Sequence, residues 1–142
     1  MAGCARPENE TQLRWLWNKG LRAIVSLNME RPLNDEQVKN LGLGYVFIPV
    51  RDFSAPTIED IVEFVNFVDR MLEKGNPVVV CCGAGIGRTG TMLAAYRVSQ
   101  CYSPEKALEE VREKRGIGVE SHVQREAIFK YARFIGKYES NP

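Results

Sequence analysis

A chain of 142 residues, 44% hydrophobic and 26% charged, has the composition of an ordinary globular protein and is expected to form a single domain over residues 1–142. A formal net charge of +1 gives no electrostatic ground for a nucleic-acid or membrane partner, and no apolar run reaches spanning length. The four cysteines include an adjacent pair and lack zinc-ligand spacing beside the single His122, which argues against a disulfide framework and against a metal site. With no signal-peptide pattern at the start, the expectation is a cytoplasmic protein.

In chain order, Leu13, Leu16 and Trp17 share one face of a helix predicted over residues 8–19, capped by Gly20. Trp15 and Trp17 are read as core packing rather than as a ligand-stacking pair. Residues 23–27 read as the first clear strand, followed by a polar loop over 28–34 and a short helix over 35–41 that stops at Gly42. A second strand over 45–50 leads into Arg51, Asp52 and Phe53. Pro56 and Thr57 then open a long helix to about residue 74, with Ile58, Ile61, Val62, Val65, Val68 and Leu72 at helical spacing on its core face.

Gly75, Asn76 and Pro77 break that helix and turn into a short β-branched strand over 78–80, expected to be central. A helix runs from Arg88 to about residue 101, and Ser103 caps another that begins at Pro104. Residues 115–119 read as a loop. Ser121 starts the last helix, carrying Val123, Ile128, Phe129, Ala132 and Ile135. Strands separated by helices imply an α/β fold: a central, mostly parallel sheet flanked by helices on both faces. In such sheets ligands sit at the carboxyl ends of the strands.

The most informative stretch is residues 77–90, Pro-Val-Val-Val-Cys-Cys-Gly-Ala-Gly-Ile-Gly-Arg-Thr-Gly. It reads as strand, tight loop, helix. Glycines at 83, 85 and 87 let backbone N–H groups turn toward one point, and the helix N-terminus adds unpaired donors and partial positive charge. Arg88 can close this ring with a planar fork that grips two phosphate oxygens at once. Cys82 opens the loop, and a cysteine in such a field is a reactive nucleophile. A purely structural glycine-rich turn would have no need of an arginine at position 88.

The spacing Cys82, five residues, Arg88, Thr89, Gly90 resembles the His-Cys-x5-Arg-Ser/Thr-Gly signature of the cysteine-based protein tyrosine phosphatases, with Cys81 in the histidine's place. The order of elements is similar to the compact dual-specificity branch. Residues 48–53 resemble that branch's general-acid loop, and residues 115–124 its Arg-Pro-Gly-x-x-Glu-Thr-x-x-Gln stretch, with Gly116 at the proline. That branch usually begins with one or two short strands. Almost nothing before Pro7 reads as one here, so a sheet edge is expected to be missing or covered differently.

The resemblance implies a metal-independent and cofactor-free phosphomonoester hydrolysis in two steps. Cys82 attacks phosphorus and forms a phosphocysteine. The phosphate sits on Gly83, Ala84, Gly85, Ile86, Gly87 and Arg88. Asp52 protonates the leaving group and then serves as base for water. Thr89 supports the thiolate, and Gln124 orients the hydrolytic water, although Ser121-x-x-Gln124 is equally a helix capping box. Thr89 is also readable as an ordinary hydroxyl in a first helical turn, and Cys81 as a buried core thiol. Arg51 and Arg115 are read as solvated charges bordering the pocket.

The implied partner is a phosphorylated protein or peptide bearing phosphotyrosine, with phosphoserine and phosphothreonine also accepted, and the implied state is a monomer. The alternatives are a phosphatase of the same mechanism acting on a phosphoinositide or an RNA 5′-phosphate, or a phosphate-binding module without turnover. Lipid-acting relatives often carry lysines in the loop, where this chain has Gly83, Ala84 and Ile86. A non-catalytic module would be expected to lack Cys82, Arg88 or Asp52. A rhodanese-like sulfur carrier would have no use for Asp52.

Overall fold

The computed structural model describes residues 1–84, 86–116, 119 and 121–136. The elements run β1 (Ala2–Ala5), α1 (Glu10–Asn18), β2 (Ala23–Asn28), α2 (Asp35–Asn40), β3 (Gly44–Val50), α3 (Ile58–Glu73), β4 (Val78–Cys82), α4 (Gly87–Ser99), α5 (Pro104–Arg115) and α6 (His122–Phe134). The four strands form one parallel sheet in the order β1-β4-β2-β3. Every residue of β2 and β4 is buried, as central parallel strands covered on both sides require.

Helices cover both faces, as the alternation of elements predicts. On one side Leu13 and Leu16 of α1 and Val38 of α2 pack with Ile24, Val79 and Cys81 in a small cluster. On the other, α3 to α6 bury a larger core on Val25, Leu27, Val78, Val80 and Cys82, with Phe64 and Tyr96 meeting edge to face. Because side chains alternate along a strand, Cys81 and Cys82 enter different cores.

Three expectations are corrected. The sheet edge is present: β1 pairs with β4 over Ala2↔Val79 to Ala5↔Cys82, and Gly3 passes so close beneath α4 that a Cβ there would meet Thr89 Cγ2 at 2.7 Å. Ala-Gly-Cys-Ala has no β-branched residue, so it forms a strand only because β4 offers an unpaired edge. Trp15 is exposed, with Lys19 Nζ 5.3 Å from its ring, whereas Trp17 packs against the α1–α2 cluster as expected, with the Arg22 guanidinium stacked on it at 3.7 Å. Leu72 and Val123, read as core residues, are exposed at the margins of their helices.

Among the described residues no helix is long and apolar enough to cross a membrane.

Candidate active site

Among the described residues, five of the six helices begin with a side-chain cap. Asn9, Asn34, Thr57, Ser103 and Ser121 each accept a hydrogen bond from a backbone N–H in the first turn. Helix α4 differs. Its N-cap is Ile86, which makes no side-chain cap hydrogen bond among the described residues, and the whole of its first turn is buried. Unpaired donors at a buried helix end are costly unless something polar fills the space they face. They face the loop that begins at Cys82, at the carboxyl end of β4.

A cavity of about 370 Å³ opens there, lined by residues that include Asn28, Glu30, Asp52, Phe53, Cys82, Gly83, Ala84, Ile86, Gly87 and Arg88. Gly85, the remaining loop position assigned to phosphate from the sequence, lies outside the described residues. Cys82 is 2% exposed, and its Sγ accepts a hydrogen bond of 3.1 Å from Thr89 Oγ1. A hydroxyl donating to that sulfur stabilises it most when it is negatively charged.

Arg88 is 3% exposed and anchored from behind the cavity. Its Nη1 donates to Glu30 Oε1 at 2.9 Å and to the Val50 carbonyl at 2.8 Å, while Nη2 lies 3.5 Å from Asp52 Oδ1. A Cβ at position 83 would stand 3.2 Å from Nη2, so glycine there leaves the guanidinium its room. Partial desolvation works against the Glu30 carboxylate, but the hydrogen bond and charge of Arg88 outweigh it and hold the carboxyl below its usual range. The arginine is thereby pre-oriented, with Nη2 left toward the cavity.

Asp52 follows β3 in a turn closed by Ser54 N–H donating to the Arg51 carbonyl at 3.0 Å. Its side chain is half-exposed at the cavity rim and accepts a hydrogen bond from Phe53 N–H. Thr89 and Gln124 are not on the cavity wall. Thr89 acts through Cys82. Gln124 is fully buried, its Oε1 accepting from Ser121 N–H in the predicted capping box and its Nε2 donating to the Ser54 carbonyl at 3.1 Å. Its amide is thus engaged with the loop that carries Asp52.

The structure adds residues that the motif does not contain. Asn28 and Glu30 lie at and just beyond the end of β2, where a parallel sheet puts its ligands, so position alone could have flagged them. Arg6 follows β1: its N–H donates to the Gly83 carbonyl at 3.3 Å, and its guanidinium donates to the carbonyls of Pro7, Arg31 and Pro32. It ties the N-terminal strand to the loop after β2 and forms one cavity wall. Arg115 lies on the opposite side of the signature loop, with Nη1 donating to the Ile86 carbonyl at 3.4 Å.

The neighbouring thiols are in a different environment. Burial above all, then Cys4 and Cys82, push the Cys81 thiol far above its ordinary range. Cys4, its cross-strand partner, is pushed up to about 11 by burial and by Cys82, with Arg115 pulling the other way.

Similarity to known proteins agrees with this geometry. The family model Tc-R-P, described as "Polymorphic toxin system, DSP-PTPase phosphatase", matches residues 2–101. An uncharacterised protein of Methanocaldococcus jannaschii is 35% identical over 62% of this chain and 59% of its own length. A phosphatidylglycerophosphate phosphatase of Arabidopsis thaliana is 30% identical over 88% of this chain and 37% of its own. The chain therefore spans less than two thirds of these relatives. The crystal structure of Tk-PTP in its active form superposes with a TM-score of 0.83 at 29% identity, covering 90% of this chain and 88% of that one. With the matched model spanning most of the chain and the parallel sheet delivering the cysteine loop to an uncapped helix, the protein belongs to the compact dual-specificity-type cysteine phosphatases, in the DSP-PTPase family described for polymorphic toxin systems.

Proposed function

We propose that the chain is a single catalytic domain that hydrolyses phosphomonoesters without a metal, through a phosphocysteine on Cys82. The observation that carries this reading is the convergence on one cavity of the Cys82 thiol, the uncapped start of α4 and the buried Arg88. A phosphate held by the loop amides and Arg88 Nη2 would present its phosphorus to the sulfur. As the bond to the leaving oxygen breaks, charge on the equatorial oxygens is met by donors already in position. Asp52, next to Arg88 at the rim, protonates the leaving oxygen and later takes the proton of the attacking water. Thr89 stabilises the departing thiolate in the second step.

Among the described residues no three His, Cys, Asp or Glu side chains are grouped to hold a metal ion. In this reading the positive charge comes from Arg88 and the backbone amides. The substrate we favour is a phosphorylated protein or peptide, phosphotyrosine first and phosphoserine or phosphothreonine as well. Three arginines on the cavity wall, Arg6, Arg31 and Arg88, are balanced by Glu8, Glu30 and Asp52. Such a neutral mouth suits one phosphate on a neutral scaffold better than a polyphosphorylated headgroup.

A second reading, a lipid phosphomonoester, is supported by the 30% identity to the Arabidopsis phosphatidylglycerophosphate phosphatase. The experiment is turnover by the purified protein, in EDTA, of phosphotyrosine, phosphoserine and phosphothreonine peptides, phosphatidylglycerophosphate and an RNA 5′-phosphate. Efficient release from the phosphotyrosine peptide, inhibited by vanadate, is expected. Loss of activity in EDTA with recovery on adding zinc or magnesium would overturn the metal-independent mechanism. Turnover of the lipid alone would overturn the protein substrate.

A further inference from the structure

We infer that Ser121 is a positioning residue for the general acid, using the N-terminal cap of α6 as a latch on the loop that carries Asp52. This rests on the role proposed for Asp52. Phe53 stands immediately after that aspartate with φ of 61°, in the left-handed region that a non-glycine residue adopts at a cost. Its own side chain is 62% exposed, so little packing of the ring compensates. The conformation is held from outside. Ser121 Oγ donates to the Phe53 carbonyl at 3.1 Å, and Gln124 Nε2 donates to the next carbonyl, Ser54, at 3.1 Å.

These donors come from residues 68 and 70 positions further along the chain, so nothing local in residues 51–54 supplies them. The two residues are also locked to each other. Ser121 Oγ accepts from Gln124 N–H at 3.3 Å while Gln124 Oε1 accepts from Ser121 N–H at 3.2 Å. A hydroxyl can both accept and donate, so one atom caps the helix and grips the loop. The loop that carries Asp52 is therefore fastened at two successive carbonyls. Asp52 is held 3.5 Å from Arg88 Nη2. The latch fixes where the leaving group's proton donor stands and leaves phosphate binding to the Cys82 loop and Arg88.

The test separates cap from latch. In Ser121→Asp a good N-cap remains, but a carboxylate only accepts and cannot donate to the Phe53 carbonyl. Ser121→Thr keeps both functions. If the aspartate variant does not fold, Ser121→Gly, a tolerated N-cap with no hydroxyl, carries the same test. Each is assayed with a phosphotyrosine ester and with an aryl phosphate whose leaving phenol is strongly acidic, beside Asp52→Asn. We expect Ser121→Asp to lower kcat on phosphotyrosine by about tenfold, with KM and the acidic ester within about twofold, and Ser121→Thr to match the parent on both. Ser121→Asp slowing both esters alike, or neither, while Asp52→Asn remains selective, would overturn the latch alone. Asp52→Asn slowing both esters alike would instead remove the acid assignment, and the latch with it.

Discussion

The two faces of the sheet are built from the same strands and lead to opposite chemistry. On one face α1 and α2 close over Ile24, Val79 and Cys81, and each helix begins with an asparagine cap that accepts from a first-turn amide. On the other, α4 starts without a cap against Cys82, and the cavity at its end gathers Arg88, Asp52 and Glu30. Cys81 and Cys82 are neighbours on β4, so their difference cannot come from the strand itself. What separates them is what surrounds each side chain. Cys81 sits in apolar packing that penalises charge. Cys82 sits at a cavity that also holds Arg88, with the Thr89 hydroxyl donating to its sulfur.

The largest expected effect sharpens this contrast directly. Cys82→Ser should lower phosphomonoester turnover by about 10⁴-fold or more, with phosphate-analogue binding and thermal stability largely kept. Cys81→Ala should do the reverse, leaving kcat/KM within about threefold while costing about 1–2 kcal/mol from the core vacancy. Paired kinetics and denaturant unfolding read both. Equal loss of activity in the two variants would mean that the faces are not functionally separate.

Next is Arg88→Lys, expected to lower kcat by about 10²–10³-fold, because an ammonium cannot hold Glu30, the Val50 carbonyl and a phosphate oxygen at once. Glu30→Gln, which keeps a hydrogen-bond acceptor behind the arginine, should cost only several-fold. Since Arg88 holds the Glu30 carboxyl below its usual range, that pair stabilises the fold above the ordinary carboxylate range and is lost as pH falls through the lowered value. The difference in stability between parent and Glu30→Gln should therefore shrink on acidification below about pH 4. Unfolding curves across that range measure it.

Alkylation tests the same contrast by reactivity. With its pKa near 11, Cys4 is ionised in only about one molecule in ten thousand at pH 7, and Cys81 lies higher still. Iodoacetamide at pH 7 should label Cys82 at least about 100-fold faster than either, as read by peptide mass spectrometry, and vanadate should protect Cys82 specifically. Labelling of Cys4 should then rise about tenfold for each pH unit up to its pKa. Comparable labelling of Cys81 and Cys82 at pH 7 would contradict the assignment of the two faces.

The smallest effect concerns the edge strand. Gly3→Ala puts a methyl 2.7 Å from Thr89 Cγ2, on the active face, and should cost about 1–3 kcal/mol and several-fold in kcat through the Thr89 hydroxyl. Cys4→Ala, one residue along and turned to the other face, should cost less than about 1 kcal/mol and leave kcat unchanged.

Much of the fold and the signature loop could be read from local patterns. Helical spacing in α3, the caps Thr57, Ser103 and Ser121, and the β-branched run before Cys82 are signals carried by neighbouring residues, and the corresponding elements form within a few positions of where those signals put them. The Cys82 loop was legible for the same reason: five residues between thiol and guanidinium, after a strand and before a helix, define a cradle without reference to the rest of the chain. Trp15, Leu72 and Val123 were misread because periodicity gives a helix an apolar face but not how far the neighbouring elements extend over it.

What waited for the tertiary structure is everything that depends on contacts distant in sequence. Ala2–Ala5 has no propensity to announce a strand and becomes one on the free edge of β4. Glu30 reaches Arg88 across 58 positions. Arg6 reaches the loop after β2 through carbonyls, and a backbone acceptor leaves no mark in a sequence. The grip of Ser121 on Phe53 is hidden in the same way, since a capping serine is recognisable from the three residues that follow it but its second hydrogen bond depends on what the fold brings alongside.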